Sequence, residues 1–122
     1  MRQTAVWIIS SEQWPRALLR AELNERGYEA TGYLTIDQAL VELLRRPEQK
    51  PQVIVLDLAG QAITRARLTA LGRASIPTIV FGGAIELDNP LVGEFPWAGS
   101  LKRPFTIGEV VAKIEAIVSP TG

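Results

Sequence analysis

Asp57 closes the run Val53-Ile54-Val55-Leu56-Asp57. A carboxylate placed directly after four aliphatic residues must find a partner or do chemistry, because an unpaired buried charge is costly. The sequence offers it a short set of companions. Ser10, Ser11 and Glu12 follow the apolar run Ala5 to Ile9, Gly82 and Gly83 follow Pro77 to Phe81, and Lys102 and Arg103 follow Ser100-Leu101. Lys102 and Arg103 could hold an anion or pair with Asp57, and Glu12 with Asp57 could offer oxygens to a hard cation. The 122 residues contain no Cys and no His, which excludes thiol nucleophiles, disulfides, imidazole bases and the usual zinc sites. Ser10 and Ser11, with no base at hand, read as N-caps of the following helix in preference to nucleophiles. Gly82-Gly83 completes no phosphate-loop pattern.

Each of these residues ends a predicted strand. Ala5 to Ile9 (β1) is a continuous apolar run, as expected of a strand covered on both faces. Trp14 to Arg26 (α1) has apolar positions at Trp14, Ala17, Leu18, Ala21 and Leu23, with Gly27 as C-cap. Tyr28 to Leu34 (β2) is mixed, as in an edge strand. Thr35 then caps Ile36 to Arg46 (α2), whose Ile36, Ala39, Leu40, Leu43 and Leu44 share a face. Val53 to Leu56 (β3) ends at Asp57, Ile63 to Leu71 (α3) has helical spacing at Ile63, Ala66, Arg67, Ala70 and Leu71, and Pro77 to Phe81 is β4. Pro90, Gly93 and Pro96 make any α4 between Ala84 and Trp97 short or irregular. Ser100 to Leu101 forms a brief β5, and Thr106 caps α5, with Ile107, Val110, Val111, Ile114, Ile117 and Val118 on one stripe. Strands alternating with helices imply a single three-layer α/β/α domain over residues 1–118, with 119–122 as the start of a linker. Ligands of such sheets collect beyond the C-terminal strand ends, where the residues above fall.

Lys plus Arg and Asp plus Glu both number 13, and the zero net charge argues against a nucleic-acid surface. The first apolar run is too short to span a membrane and has no signal-peptide pattern, so the expected location is the cytoplasm. Arg65, Arg67 and Arg73 read as a solvated face, and Trp7, Trp14 and Trp97 as core or rim packing.

The ordered set of features resembles bacterial response-regulator receiver domains, the CheY-like family, from end to end. Val6-Trp7-Ile8-Ile9-Ser10-Ser11-Glu12 lies on the family's strand ending in two acids, Val53 to Asp57 on its acceptor strand, and Arg103-Pro104-Phe105 on its Lys-Pro-Phe. The resemblance implies a flavodoxin-like (βα)5 fold with a five-stranded parallel sheet in the order 2-1-3-4-5, and Asp57 at the phosphoacceptor position. The family moves a phosphoryl group to this Asp with Mg²⁺ held by the acidic pair. Here that pair falls on Ser10 and Ser11, with Glu12 one residue later. The phosphoryl-binding hydroxyl falls on Gly82, the switching aromatic on Ser100 and the conserved Lys on Arg103. Two neutral hydroxyls do not retain Mg²⁺ without anionic partners, so the site reads as degenerate, with no resident cofactor. Asp57 then reads as a carboxylate paired with Arg103 or Lys102 in preference to a working acceptor.

The expected function is a non-enzymatic, receiver-like signalling module of a bacterial two-component or related regulatory system. It would act through protein contacts, with Mg²⁺-dependent phosphorylation impaired or absent. Expected partners are a regulatory protein or output domain, a histidine kinase, or a second copy docked on the α4-β5-α5 face, with neither nucleic acid nor membrane. Two alternatives stay open: a phosphorelay acceptor using Asp57, and a small anion- or ligand-binding flavodoxin-like module using the strand-end space.

Overall fold

The computed structural model describes residues 3–118, so the expected linker at 119–122 lies outside the described residues. Five strands, β1 (Ala5–Ile9), β2 (Glu29–Tyr33), β3 (Val53–Asp57), β4 (Thr78–Gly82) and β5 (Gly99–Lys102), form one sheet in the order β2-β1-β3-β4-β5. Every neighbouring pair is parallel. The helices are α1 (Gln13–Glu25), α2 (Ile36–Arg45), α3 (Arg65–Gly72) and α5 (Ile107–Val118). The α4 region consists of two single turns, Ala84–Leu87 and Pro90–Gly93. Among the described residues no helix is long and apolar enough to cross a membrane.

The period-two alternation of the strands divides the core into two layers. Val6, Ile8, Val53, Val55, Ile79 and Phe81 face α1 and α5, where Leu19, Leu23, Val110, Val111 and Ile114 cover them. Trp7, Ile9, Ile54, Leu56 and Val80 face the opposite side, where Ile36 and Ala39 of α2, Leu71 of α3 and Val92 of α4 pack. Strands β3 and β4 are buried along their whole length, and β2 and β5 are partly exposed, as edge position requires.

Local chemistry sets the element ends. Thr35 Oγ1 accepts the Gln38 N–H at 3.1 Å, Thr64 Oγ1 accepts the Arg67 N–H at 3.2 Å, and Thr106 and Glu109 cap each other's N–H groups. Because Thr64 is a cap, α3 begins at Arg65 and not at Ile63. In α4, Asn89 Oδ1 accepts the Leu91 N–H at 2.9 Å, and Trp97 Nε1 donates to the Val92 carbonyl at 2.8 Å, which ties the second turn to the chain leading into β5.

Three helix faces differ from the sequence reading. In α1 only Leu19 and Leu23 are buried, whereas Trp14, Ala17, Leu18 and Ala21 face solvent. The helix is rotated because Arg16 lies inward and donates from Nη1 to the Ser10 carbonyl at 2.8 Å. In α2 Leu44 is exposed, and in α3 Leu68 is buried together with Leu71. A helix of eight to ten residues presents too narrow a face for spacing alone to fix its rotation.

Candidate functional site

Parallel pairing in register brings the ends of β1, β3, β4 and β5 to one edge of the sheet. Ile9 pairs with Leu56, Asp57 with Phe81, and Gly82 with Lys102, so Ser10, Asp57, Gly82 and Arg103 leave the sheet side by side.

The Asp57 side chain is 0% exposed, and both of its oxygens are engaged. Oδ2 accepts the Ser10 hydroxyl at 2.9 Å. Oδ1 accepts the Ala59 N–H at 3.1 Å and faces Arg103 Nη2 at 3.4 Å. Burial pushes the Asp57 carboxyl above the usual carboxylate range, and the Ser10 hydroxyl, the Ala59 N–H and the Arg103 charge offset this only in part. The nearby Glu12 charge adds to the upward push.

Ser10 is itself fully buried, and its Oγ also accepts the Glu12 N–H at 3.3 Å. Ser11 is exposed and donates to the Ala59 carbonyl at 3.2 Å. Neither serine caps α1: the N-cap position is Glu12, with no side-chain cap bond. The expected capping role is therefore corrected, because the chain turns one residue later and Ser10 points back into the sheet. Gly60, at φ +75°, makes the loop after β3 turn tightly under the Ser11 side chain, where a Cβ would collide with Ser11 Oγ.

Arg103, not Lys102, is the partner of Asp57. Its guanidinium lies 5.8 Å from the Phe81 ring centroid and 5.9 Å from that of Phe105, and its side chain is 37% exposed. Glu12 Oε1 stands 3.9 Å from Arg103 Nη2. Lys102 is exposed and makes no ion pair among the described residues, and Ser100 is exposed on β5.

Gly82 has its missing side chain replaced from elsewhere. A Cβ built there would stand 3.2 Å from Glu86 Cβ and 3.3 Å from Glu86 Oε1, and that oxygen accepts the Gly83 N–H at 2.7 Å. The Gly83 N–H is thus already occupied by a carboxylate. Glu86 was missed in the sequence reading. Its one signal is the spacing Gly83-Ala84-Ile85-Glu86, half of a capping box that lacks a hydroxyl at its first position.

Mg²⁺ needs an all-oxygen, net-anionic shell. Among the described residues no group of three or more Asp or Glu side chains could hold a metal ion. Of the three carboxylates at this edge, Asp57 and Glu12 stand 3.4 and 3.9 Å from the Arg103 guanidinium, which already supplies a cation there, and Glu86 accepts the Gly83 N–H. The residues do not fit the ion, and the alternative of Glu12 and Asp57 as a metal pair meets the same obstacle.

Two clefts open near the sheet. A polar groove of about 840 Å³ runs along the β2 edge, with Thr31, Tyr33, Glu42 and Arg46 in its walls. An apolar cleft of about 520 Å³ lies beside Arg103, between α1 and the β5–α5 connection. Ser10, Arg103 and Glu86 line the strand ends themselves. The three-arginine cluster of α3 is also resolved: Arg65 and Glu94 form two bonds at 2.6 and 3.2 Å, and Arg67 and Asp37 two at 2.9 Å. Trp7 packs on Tyr33 at 4.8 Å and Trp97 on Phe95 at 6.0 Å, whereas Trp14 is 69% exposed.

No family model matches the chain, and no curated protein matches it by sequence. Solved structures do match. The Francisella response regulator 1452 receiver domain is 18% identical with a TM-score of 0.79, covering 98% of this chain and 100% of its own. A response-regulator receiver domain protein from Clostridium thermocellum is 16% identical with a TM-score of 0.80, covering 96% and 95%. The beryllofluoride-activated NtrC receiver domain is 22% identical with a TM-score of 0.76, covering 100% and 99%. The structural neighbours are response-regulator receiver domains, and the chain has their flavodoxin-like fold, with five parallel strands in the order 2-1-3-4-5.

Proposed function

We propose that this chain is a receiver-like signalling module of a bacterial two-component or related regulatory system that works by protein contact and not by Mg²⁺-dependent phosphoryl transfer. One observation carries the reading. Asp57, at the acceptor position, is fully covered, with the Ser10 hydroxyl on one oxygen and the Ala59 N–H and Arg103 guanidinium on the other. An incoming phosphoryl group would have to displace these groups without a metal to offset its charge. The proposed partners are a regulatory protein, a histidine kinase, an attached output domain or a second copy. The proposed contact is the α4-β5-α5 face, where Ile85 is largely exposed and Ser100 and Lys102 line the open side of β5.

The competing reading, an acceptor in a phosphorelay, has one supporting observation. Glu12 lies close enough to raise the Asp57 carboxyl and to approach Arg103, so a rearranged Glu12 would add one carboxylate to the site. The experiment is treatment of the protein with Mg²⁺ and acetyl phosphate, then with Mg²⁺ and beryllofluoride, read by intact mass and tryptophan fluorescence. The expected result is unchanged mass and emission. A mass gain of one phosphoryl group that disappears in Asp57→Asn overturns the proposal in favour of the acceptor.

A further inference from the structure

We propose that the apolar cleft between α1 and the β5–α5 connection is a binding site for a small monoanion with an apolar or aromatic body, of the arylalkyl carboxylate class. The cleft encloses about 520 Å³ and is walled chiefly by Trp14 and Pro15 of α1, Phe81 of β4, Arg103 and Phe105 of the connection, and Ile107 of α5. That volume suits a compact organic ligand. Trp14 stands at its mouth with 69% of its surface exposed, offering a flat indole with nothing packed over it.

Charge complementarity selects the ligand's head group. Arg103 is the one charged residue in the cleft wall, and its guanidinium is permanently cationic. Nη2 faces Asp57 and Glu12, and the remaining guanidinium N–H groups have no hydrogen-bond partner among the described residues. The Phe81 and Phe105 rings, 4.9 Å apart, pack together on one side of the guanidinium, whose planar fork adjoins the apolar wall of the cleft. A single carboxylate matches such a fork. A nucleotide would find one cation for several charges, and a neutral hydrocarbon would leave the fork unpaired. A ligand must compete with two acids on Nη2, the buried Asp57 at 3.4 Å and Glu12 at 3.9 Å, the latter 59% exposed and a weak contact. The site lies beside Asp57 and shares Arg103 with it, so the chain is tested with Asp57 unmodified.

The test is titration of the full chain with phenylpropionate and, separately, with its neutral amide, followed by amide proton–nitrogen correlation spectra. Saturable shifts confined to residues 13–19, 81 and 102–110 are expected, with the acid binding roughly tenfold tighter than the amide, the advantage of a hydrogen bond to a charged group. Because Arg103 also faces Asp57, its removal is made as Asp57→Asn with Arg103→Met, which should abolish the preference for the acid while the amide still binds. Glu12→Gln removes the exposed competitor and should tighten the acid alone by about threefold, the scale of an exposed ion pair. Absence of saturable shifts, shifts centred elsewhere, or equal binding of acid and amide overturns the proposal. If the double variant does not fold, failure of Glu12→Gln to tighten the acid overturns it.

Discussion

The Ser10 hydroxyl donates to Asp57 Oδ2 across 2.9 Å, tying the end of β1 to the end of β3 where neither side chain reaches solvent. It is the shortest bond on that carboxylate, ahead of the Ala59 N–H at 3.1 Å and Arg103 at 3.4 Å. Ser10, which the resemblance sets at a metal-ligand position, is a hydrogen-bond donor that satisfies Asp57 Oδ2 within the fold.

Ser10→Ala leaves Asp57 Oδ2 and the Glu12 N–H without this partner, and should destabilise the protein by roughly 1–3 kcal/mol, the cost of a buried group left unpaired. Urea unfolding checks it. Ser10→Asp instead sets a second carboxylate beside the first, and the single Arg103 cation offsets only one of the two charges. That variant should lose thermal stability in chelator and recover part of it in Mg²⁺, while the parent chain ignores the ion. Stabilisation of the parent chain by Mg²⁺ would count against the misfit described above.

Asp57 is held above its ordinary carboxyl range, chiefly by burial, so the folded state keeps its proton to higher pH than the unfolded chain does. Folding then takes up a proton between the ordinary and the raised value. The resulting stabilisation is fully present below the ordinary range and is lost as pH rises through the raised value. Asp57→Asn removes this dependence. Melting curves from acid to neutral pH should therefore show the parent chain gaining on the variant as pH falls. Asp37 and Glu94 are lowered by their bonds to Arg67 and Arg65 and weaken both proteins alike on acidification. A parent-to-variant difference that is flat with pH, or of the opposite slope, would refute the assignment.

Gly82→Thr would drive its Cβ to 3.2 Å from Glu86 Cβ and force Glu86 off the Gly83 N–H. The expected cost is about 1–3 kcal/mol, as for overpacking at a closed site. Glu86→Ala vacates the same space, so the double variant should lose less than the sum of the single losses, measured by a double-mutant cycle in denaturant. Strict additivity would mean that the two residues do not share the space.

The sheet was legible because its signal is local and strong. Val53 to Leu56 and Pro77 to Phe81 read as strands covered on both faces, and Thr35 and Thr106 mark helix starts by their own hydroxyl chemistry, whereas the Thr64 cap was not read. Helix rotation was less so. The α1 apolar residues outnumber the two that the sheet buries, and choosing Leu19 and Leu23 over Trp14 and Leu18 depends on Arg16 reaching the Ser10 carbonyl.

The site divides the same way. Sequence alone determined that Asp57 directly follows four aliphatic residues, that Ser, Gly and two cations end the neighbouring strands, and that a cation from the end of β5 is its natural partner. Only the tertiary structure decided that this cation is Arg103, that Ser10 turns into the core and not onto α1, and that Glu86 fills the space beside Gly82. The physical reason is range. Strand and cap signals are carried by residues a few positions apart, whereas Ser10 and Asp57, or Asp57 and Arg103, lie 47 and 46 residues apart and meet only when four parallel strands fall into register.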